Sequence, residues 1–465
     1  MQTMNKLTRS GVALLLAASL NSALSADPAT DAELQTLREQ VHQLQQQLAA
    51  LSHRIEAKET SAAAAPTPAA APTAVVTAGE KGFQLASADN AFSIRFRAVG
   101  QVDSRFFFGD GGAVANDSFL LRRARIITEG NLGRGFSFVF VPEFGGSSVS
   151  ILDAAIGVSL NDSLQLKFGK FTPPLGLERL QGVSWTYFNE SSLASNLLPS
   201  RDIGLQASGT LASGTLTYAA GVFGGVADNG SSPNSDFDND KDLIARLYAT
   251  PFKNSEGSAL RGLSVGVAGS LGRAKTASGR SAAYRTDGQQ VFFKYADATV
   301  ADGCNWRLTP QFDYRVGSFG LAGEYVVSST ELRSGAATAT LANRAWQVSA
   351  GYVLTGEASS FSGVKPRNTF NLADGTWGAF ELVGRVSGFR VDDDAFPLFA
   401  SVGSNASEAT AYGVGFNWYL SRNLKFSTDF YVTDFGFADS APASSSSAIL
   451  RQDEQALISR LQVAF

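Results

Sequence analysis

The stretch FSIRFRAVGQVDSR, residues 92–105, alternates at period two: Phe92, Ile94, Phe96, Ala98 and Val102 share one face, while Ser93, Arg95, Arg97, Gln101 and Asp103 share the other. Successive side chains of a strand point to opposite sides, so this segment divides an apolar surface from a charged one. The pattern returns along the chain. In AYGVGFNWYL (411–420), Tyr412, Val414, Phe416, Trp418 and Leu420 oppose Gly413, Gly415, Asn417 and Tyr419. In NLKFSTDFYV (423–432), Leu424, Phe426, Thr428, Phe430 and Val432 oppose Lys425, Ser427, Asp429 and Tyr431. FLLRRARIITEG (119–130) follows the same rule, with Leu121, Arg123, Arg125 and Glu129 on the polar face and Arg122, Ala124, Ile126 and Thr128 on the apolar one. The polar face is a whole wall, which calls for water on one side and an apolar medium on the other.

The alternating segments run for about 10 to 13 residues, long enough when tilted to cross a bilayer. Tight connections (131–135, 161–163, 212–214 and 421–423) alternate with long ones (109–118, 172–202, 225–241, 273–304 and 437–453). Short turns on one side and long loops on the other are the outer-membrane pattern, and counting from Phe92 gives about sixteen strands. The expected fold is all-β, a 16-stranded antiparallel transmembrane β-barrel over residues 82–465. Residues 355–375 fall where a short turn belongs, and the pattern assigns them no conformation. ALISRLQVAF (456–465) ends on alternating apolar residues and a terminal aromatic, so Phe465 is read as the signal recognised by the outer-membrane assembly machinery.

Residues 1–26 read as a signal peptide: Lys6 and Arg9, an apolar run over 11–20, then the small-residue exit Ala23-Leu24-Ser25-Ala26. Residues 27–60 carry heptads, with Leu34, Val41, Leu48 and Ile55 at one position and Leu37, Leu44 and Leu51 at the other. A parallel oligomer is the reading preferred to a lone amphipathic helix, because isolated helices of this length are marginal in water. Residues 61–81, rich in Ala, Pro and Thr, form an extended spacer. The only histidines, His42 and His53, lie in the heptad segment, so the main domain has no histidine for nucleophilic catalysis or a His-ligated metal. Cys304 is the single cysteine and the net charge is −4, so no disulfide framework, no thiolate metal centre and no nucleic-acid partner are expected. A non-enzymatic protein without cofactors is the expectation.

The segments FLLRRARIITEGNLG, FGKFTPPLGLERL, DFDNDKDLIARLYATPF, SFGLAGEYV, NRAWQVSAGYVLTGE and GVGFNWYLSRNLKFSTDFY resemble, in order and over nearly all of 92–465, the phosphate-selective porin family of Gram-negative outer membranes. The resemblance implies a trimer whose third long loop folds into the lumen and whose basic residues guide phosphate-like anions. Phosphate-specific members of that family place lysines in the loop, whereas none occurs here between Lys170 and Lys241.

A phosphate entering a constriction sheds hydration, so the pore must supply charged donors that hold it weakly enough to release it. By register, Arg95, Arg97, Arg123, Arg125, Lys167, Arg246, Arg307, Arg315, Arg385, Lys425 and Arg460 face the lumen, with Glu129, Asp153, Asp313, Glu324, Glu381 and Asp429 on the same face. Loop 172–202 is the expected constriction, bearing Arg179 and Arg201 offset by Glu178, Glu190 and Asp202. Arg122, on the outward register, is expected to reach lipopolysaccharide phosphates. Asp236, Asp238, Asp240 and Asp242 have calcium-loop spacing but lack the glycine and glutamate of such a loop, and an exposed acidic loop is the plainer reading. The leading function is a passive outer-membrane channel for inorganic phosphate and related oxyanions. A broader anion or general diffusion porin, and a tether between outer membrane and cell wall built on the coiled coil, are the alternatives.

Overall fold

The computed structural model describes residues 28–63, 74–108, 116–234, 238–275, 282–438 and 453–465. The signal-peptide segment, residues 64–73 of the spacer and Asp236 lie outside them. The chain divides into two units, Met1–Pro72 and Thr73–Phe465.

In the first unit, helix α1 (Pro28–Ala63) runs three residues beyond the expected end of the heptad segment. Its seam, Leu37, Val41, Leu44, Leu48, Leu51 and Ile55, is 50–64% exposed in the single chain. His42 and His53 meet neighbours one turn away, Gln46 and Glu56, as surface residues do.

The second unit begins at Thr73, inside the expected spacer. Strands β1 (Val75–Gly79) and β2 (Gly82–Ala86) form a hairpin, and β2 pairs with the start of β3 (Phe92–Phe108). There follow β4 (Ser118–Leu132), β5 (Phe136–Glu143), β6 (Ser150–Asn161), β7 (Leu164–Phe171), β8 (Asp202–Leu211), β9 (Leu216–Phe223), β10 (Asp242–Ala249) and β11 (Leu263–Lys275). A small hairpin, β12 (Ala283–Arg285) and β13 (Val291–Lys294), stands apart from the barrel sheet. The wall then resumes with β14 (Thr299–Val316), β15 (Phe319–Ser334), β16 (Ala337–Val353), β17 (Ala379–Arg390), β18 (Glu408–Tyr419), β19 (Leu424–Gly436) and β20 (Glu454–Ala464). Apart from the two hairpins, each strand pairs antiparallel with the next and β20 pairs with β3, closing a barrel of sixteen strands. Closure leaves the sixteen-stranded wall without an open edge, a condition for backbone placed in hydrocarbon.

The residue distribution is inverted relative to a soluble protein. Phe92, Phe96, Val102, Leu247, Val267, Trp346, Val414 and Leu461 are exposed, whereas Gln101, Asp103, Arg307, Asp313, Arg385, Ser427, Asp429 and Arg460 are buried. Near the tight-turn end of β17 and β18, Phe370, Trp377, Phe380, Phe416 and Trp418 pack with centroids 5.4–6.5 Å apart, an aromatic girdle at the membrane boundary.

Strand β4 departs from strict alternation. Gln101 of β3 pairs with Arg123 and Val102 with Leu121, so Arg122 is the extra residue of a bulge. Leu121 therefore faces outward, 53% exposed, and Arg122 turns inward. The expected contact of Arg122 with lipopolysaccharide is thus overturned.

Candidate functional site

Residues 172–201, between β7 and β8, pack inside the barrel. Leu175, Leu193, Ala194, Leu197 and Leu198 are fully buried in an apolar cluster with Val326, Leu341 and Ala345 of the β15–β16 wall. Glu190 is the loop's electrostatic anchor. It accepts from Arg122 at 2.6 and 2.9 Å, from Arg105 at 2.9 Å and from Arg460 at 2.9 Å. Burial works against its charge, but Arg122 and Arg460 hold the carboxyl well below the usual carboxylate range. Beside it, Asn189 receives the Ser427 hydroxyl at 2.6 Å and donates to the Ile458 carbonyl at 3.1 Å. Farther along, Glu324 accepts the backbone N–H groups of Leu177 and Glu178 at 2.7 and 3.1 Å, at the start of a single helical turn (Leu177–Leu180).

A second inward element was not legible in the pattern. The β12–β13 hairpin with Tyr295 just after it, and residues 391–407, supply Tyr284, Phe292, Phe293, Tyr295, Phe396 and Phe399 to the same apolar cluster. Asn196 of the loop exchanges two hydrogen bonds of 2.9 Å with the backbone of Arg285, joining loop to hairpin. Arg385 lies between them, 3.1 Å from Glu178 of the loop and 3.0 Å from Asp287 at the hairpin tip. From the other end, residues 355–375 reach the loop as well. The Phe361 carbonyl accepts from Gln181 at 2.8 Å, and Arg315 donates at 3.0 Å to both Ser359 and Tyr187.

These insertions divide the cations expected on the lumen face. Arg307 pairs with Asp228 at 2.9 Å, Arg315 with Asp313 at 2.9 Å, and Arg460 with Asp103 at 2.6 Å. Lys425 is buried, with its ammonium 3.4 Å from the Thr186 carbonyl. With Arg385, these side chains tie the β14–β20 wall to the inserted segments. Arg95, Arg97, Arg122, Arg123, Arg125, Arg179, Arg201, Arg422 and Lys81 instead line a cavity of about 730 Å³ beside β3–β6. The carboxylate side chains among the described residues that line it with them are Glu80, Glu129, Asp153 and Glu178. Two neighbouring cavities of about 510 and 520 Å³ carry Lys167, shared by both, and Arg246.

Within this open half the cations are not equivalent. Arg97 pairs with Glu129 at 2.9 Å, Arg125 with Glu143 at 2.5 Å and Arg201 with Asp153 at 3.0 Å. Arg95 rests on Gln84 and lies 3.6 Å from Glu129. Arg123 donates to the neutral Gln101 at 2.6 Å, Arg179 to the Ser195 carbonyl and Asn229, and Arg246 to Gln311 at 3.0 Å. Lys167 sits 4.5 Å over the Phe171 ring. Burial pulls the Arg179 guanidinium down to about 10, so it is still protonated at neutral pH. Asp242, buried, lies 3.5 Å from Arg307, and among the described residues no cluster of carboxylates has a metal-binding arrangement. Phe465 completes the β3 register through two backbone bonds to Ala98 and packs edge-on against Phe83 at 5.9 Å.

The family model "Phosphate-selective porin O and P" matches residues 92–465. Porin O of Pseudomonas aeruginosa is 24% identical over 392 residues, 76% of this chain and 85% of its own length. The outer membrane channel DcaP of Acinetobacter baumannii superposes with a TM-score of 0.51 at 11% identity, over 81% of this chain and 98% of its own. OprB of Pseudomonas putida does so with a TM-score of 0.50 at 12% identity, over 81% and 95%. The match spans the whole barrel, so the chain belongs to the phosphate-selective porin O and P family and is a porin of the outer membrane.

Proposed function

We propose that this porin is a passive channel favouring anions, with phosphate and related oxyanions as its solute class. The observation that carries the proposal is the lining of the open cavity, nine cationic side chains against four carboxylate side chains, an excess that persists when Glu190 and Glu143, which pair Arg122 and Arg125 from behind the lining, are counted. Such an excess in a narrow, partly desolvated space attracts anions and repels cations. The family description supports the oxyanion class. Arg95, Arg97, Arg125 and Arg201 form the paired wall of the path. Arg123, Arg179, Lys167 and Arg246, with no carboxylate within salt-bridge distance among the described residues, are its free charges. Loop 172–201 narrows the lumen and sets the constriction.

Reversal potentials of the reconstituted protein under asymmetric potassium chloride test the anion preference, and cation selectivity overturns it. Phosphate titrated into chloride should block the chloride current. The absence of lysine from the loop favours a second reading, a broader anion channel, which is the outcome if phosphate blocks no better than sulfate.

In this proposal α1 is periplasmic and joins three copies through its exposed seam, with the cell wall as a further point of attachment. The exposed apolar belt meets outer-membrane lipid and lipopolysaccharide, and Phe465 is read by the assembly machinery.

A further inference from the structure

The cavity of about 730 Å³ interleaves charged and apolar side chains on both its wall and its inserted loop, and we infer that it is a binding site for amphiphilic organic anions, a ring or alkyl body carrying a carboxylate, phosphate or sulfonate. The inference rests on the anion preference proposed above and narrows its substrate class.

Apolar residues occupy inward positions of the wall in the same rows as the charges. Val139 stands opposite Glu129 and Val99 opposite Arg125, so both point into the lumen. Val141 follows Val139 by two residues, and Val99 and Val141 are buried at 7% and 5% exposure. Across the cavity the inserted loop presents Leu180, Val183 and Trp185. Trp185 is held in place by its surroundings. A Cβ on Gly363 would lie 2.4 Å from the indole, the Arg422 guanidinium lies 5.2 Å from the ring centre, and Gln181 donates to the Trp185 carbonyl at 2.9 Å. Arg97, Arg123 and Arg179 line the same space.

An inorganic oxyanion gains nothing from such walls, because apolar surface cannot replace the hydration that it sheds. An organic anion gains on both sides at once, its charged group on the guanidiniums and its body removed from water against Val139, Val141 and Trp185. The volume of about 730 Å³ suits this class, since pockets for organic ligands span about 300–1,000 Å³.

The test uses the full-length protein in planar bilayers, with block of single-channel chloride current as the readout. Inorganic phosphate is titrated against phenyl phosphate, and acetate against benzoate. The aromatic member of each pair should reach half-block at about tenfold lower concentration. Trp185→Ala and Val141→Ser should each bring that ratio below about threefold. Because the ratio is read per open channel it is independent of yield, and Val139→Ser serves if either variant fails to assemble. Equal block by both members with anion selectivity intact overturns this inference and leaves the anion channel standing, whereas cation selectivity overturns both. An aromatic advantage that survives all the substitutions overturns the assignment of the site.

Discussion

Arg123 and Arg125 stand two residues apart on the same face of β4 and differ in their partners. Arg125 faces Glu143 at 2.5 Å, so its charge is largely cancelled locally, whereas Arg123 rests on the amide of Gln101. Arg123→Gln should therefore lower the anion-to-cation permeability ratio severalfold, and Arg125→Gln should lower it much less, both read from reversal potentials. Glu190 represents the opposite case, one buried carboxylate shared by three arginines. Glu190→Gln leaves Arg122 without its carboxylate and Arg105 and Arg460 sharing Asp103 alone, and removing one partner of a buried pair costs about 3–5 kcal/mol. The expected outcome is protease sensitivity within 172–201 and a lower melting temperature of the extracted protein. Alternation in the sequence was sufficient to turn Arg123 and Arg125 inward. It misplaced Arg122, because a bulge inserts one residue without leaving a mark in the polar and apolar pattern.

Strands and inserted segments differ in how much of them the sequence discloses. A strand is recognised from its own residues, since period two is a local property. The β12–β13 hairpin and residues 355–375 have meaning only through distant contacts, such as Asn196 with Arg285 and Gln181 with Phe361. The hairpin also carries a titratable tip. Burial raises Asp287 to about 6 despite the attraction of Arg385, with Glu178 and Glu190 adding to the rise, and Gly288 beside it packs against Glu454. A carboxyl raised from its ordinary 3.8 binds its proton more tightly in the folded state than in the unfolded one. Its contribution is therefore complete below about pH 4 and is lost as pH rises through about 6. Acidification from pH 7 to 5 should tighten the hairpin, and Asp287→Asn should flatten that pH dependence. Melting curves at the two pH values check both.

For the whole molecule, the proposed function gives the two units separate tasks. The barrel satisfies its own backbone and buries its own charges, whereas α1 leaves a row of Leu, Val and Ile exposed that one copy cannot cover. Deleting residues 28–63 should leave single-channel conductance and anion selectivity unchanged while lowering the temperature at which the unheated oligomer dissociates on gels. Loss of envelope attachment in the same variant would support the tether reading. The sequence by itself determined the barrel, its strand number and which side of each regular strand meets lipid. Those properties follow from apolar and polar residues alternating over a bilayer's thickness, and no long-range information is needed. Only the tertiary structure decided which arginines meet a carboxylate and which, among the described residues, do not. Their partners lie far away in the chain, Glu190 68 residues from Arg122, Glu178 207 from Arg385 and Asp103 357 from Arg460. Charge compensation acts over a few ångströms in space, and closure of the barrel around its inserted segments is what brings those groups together.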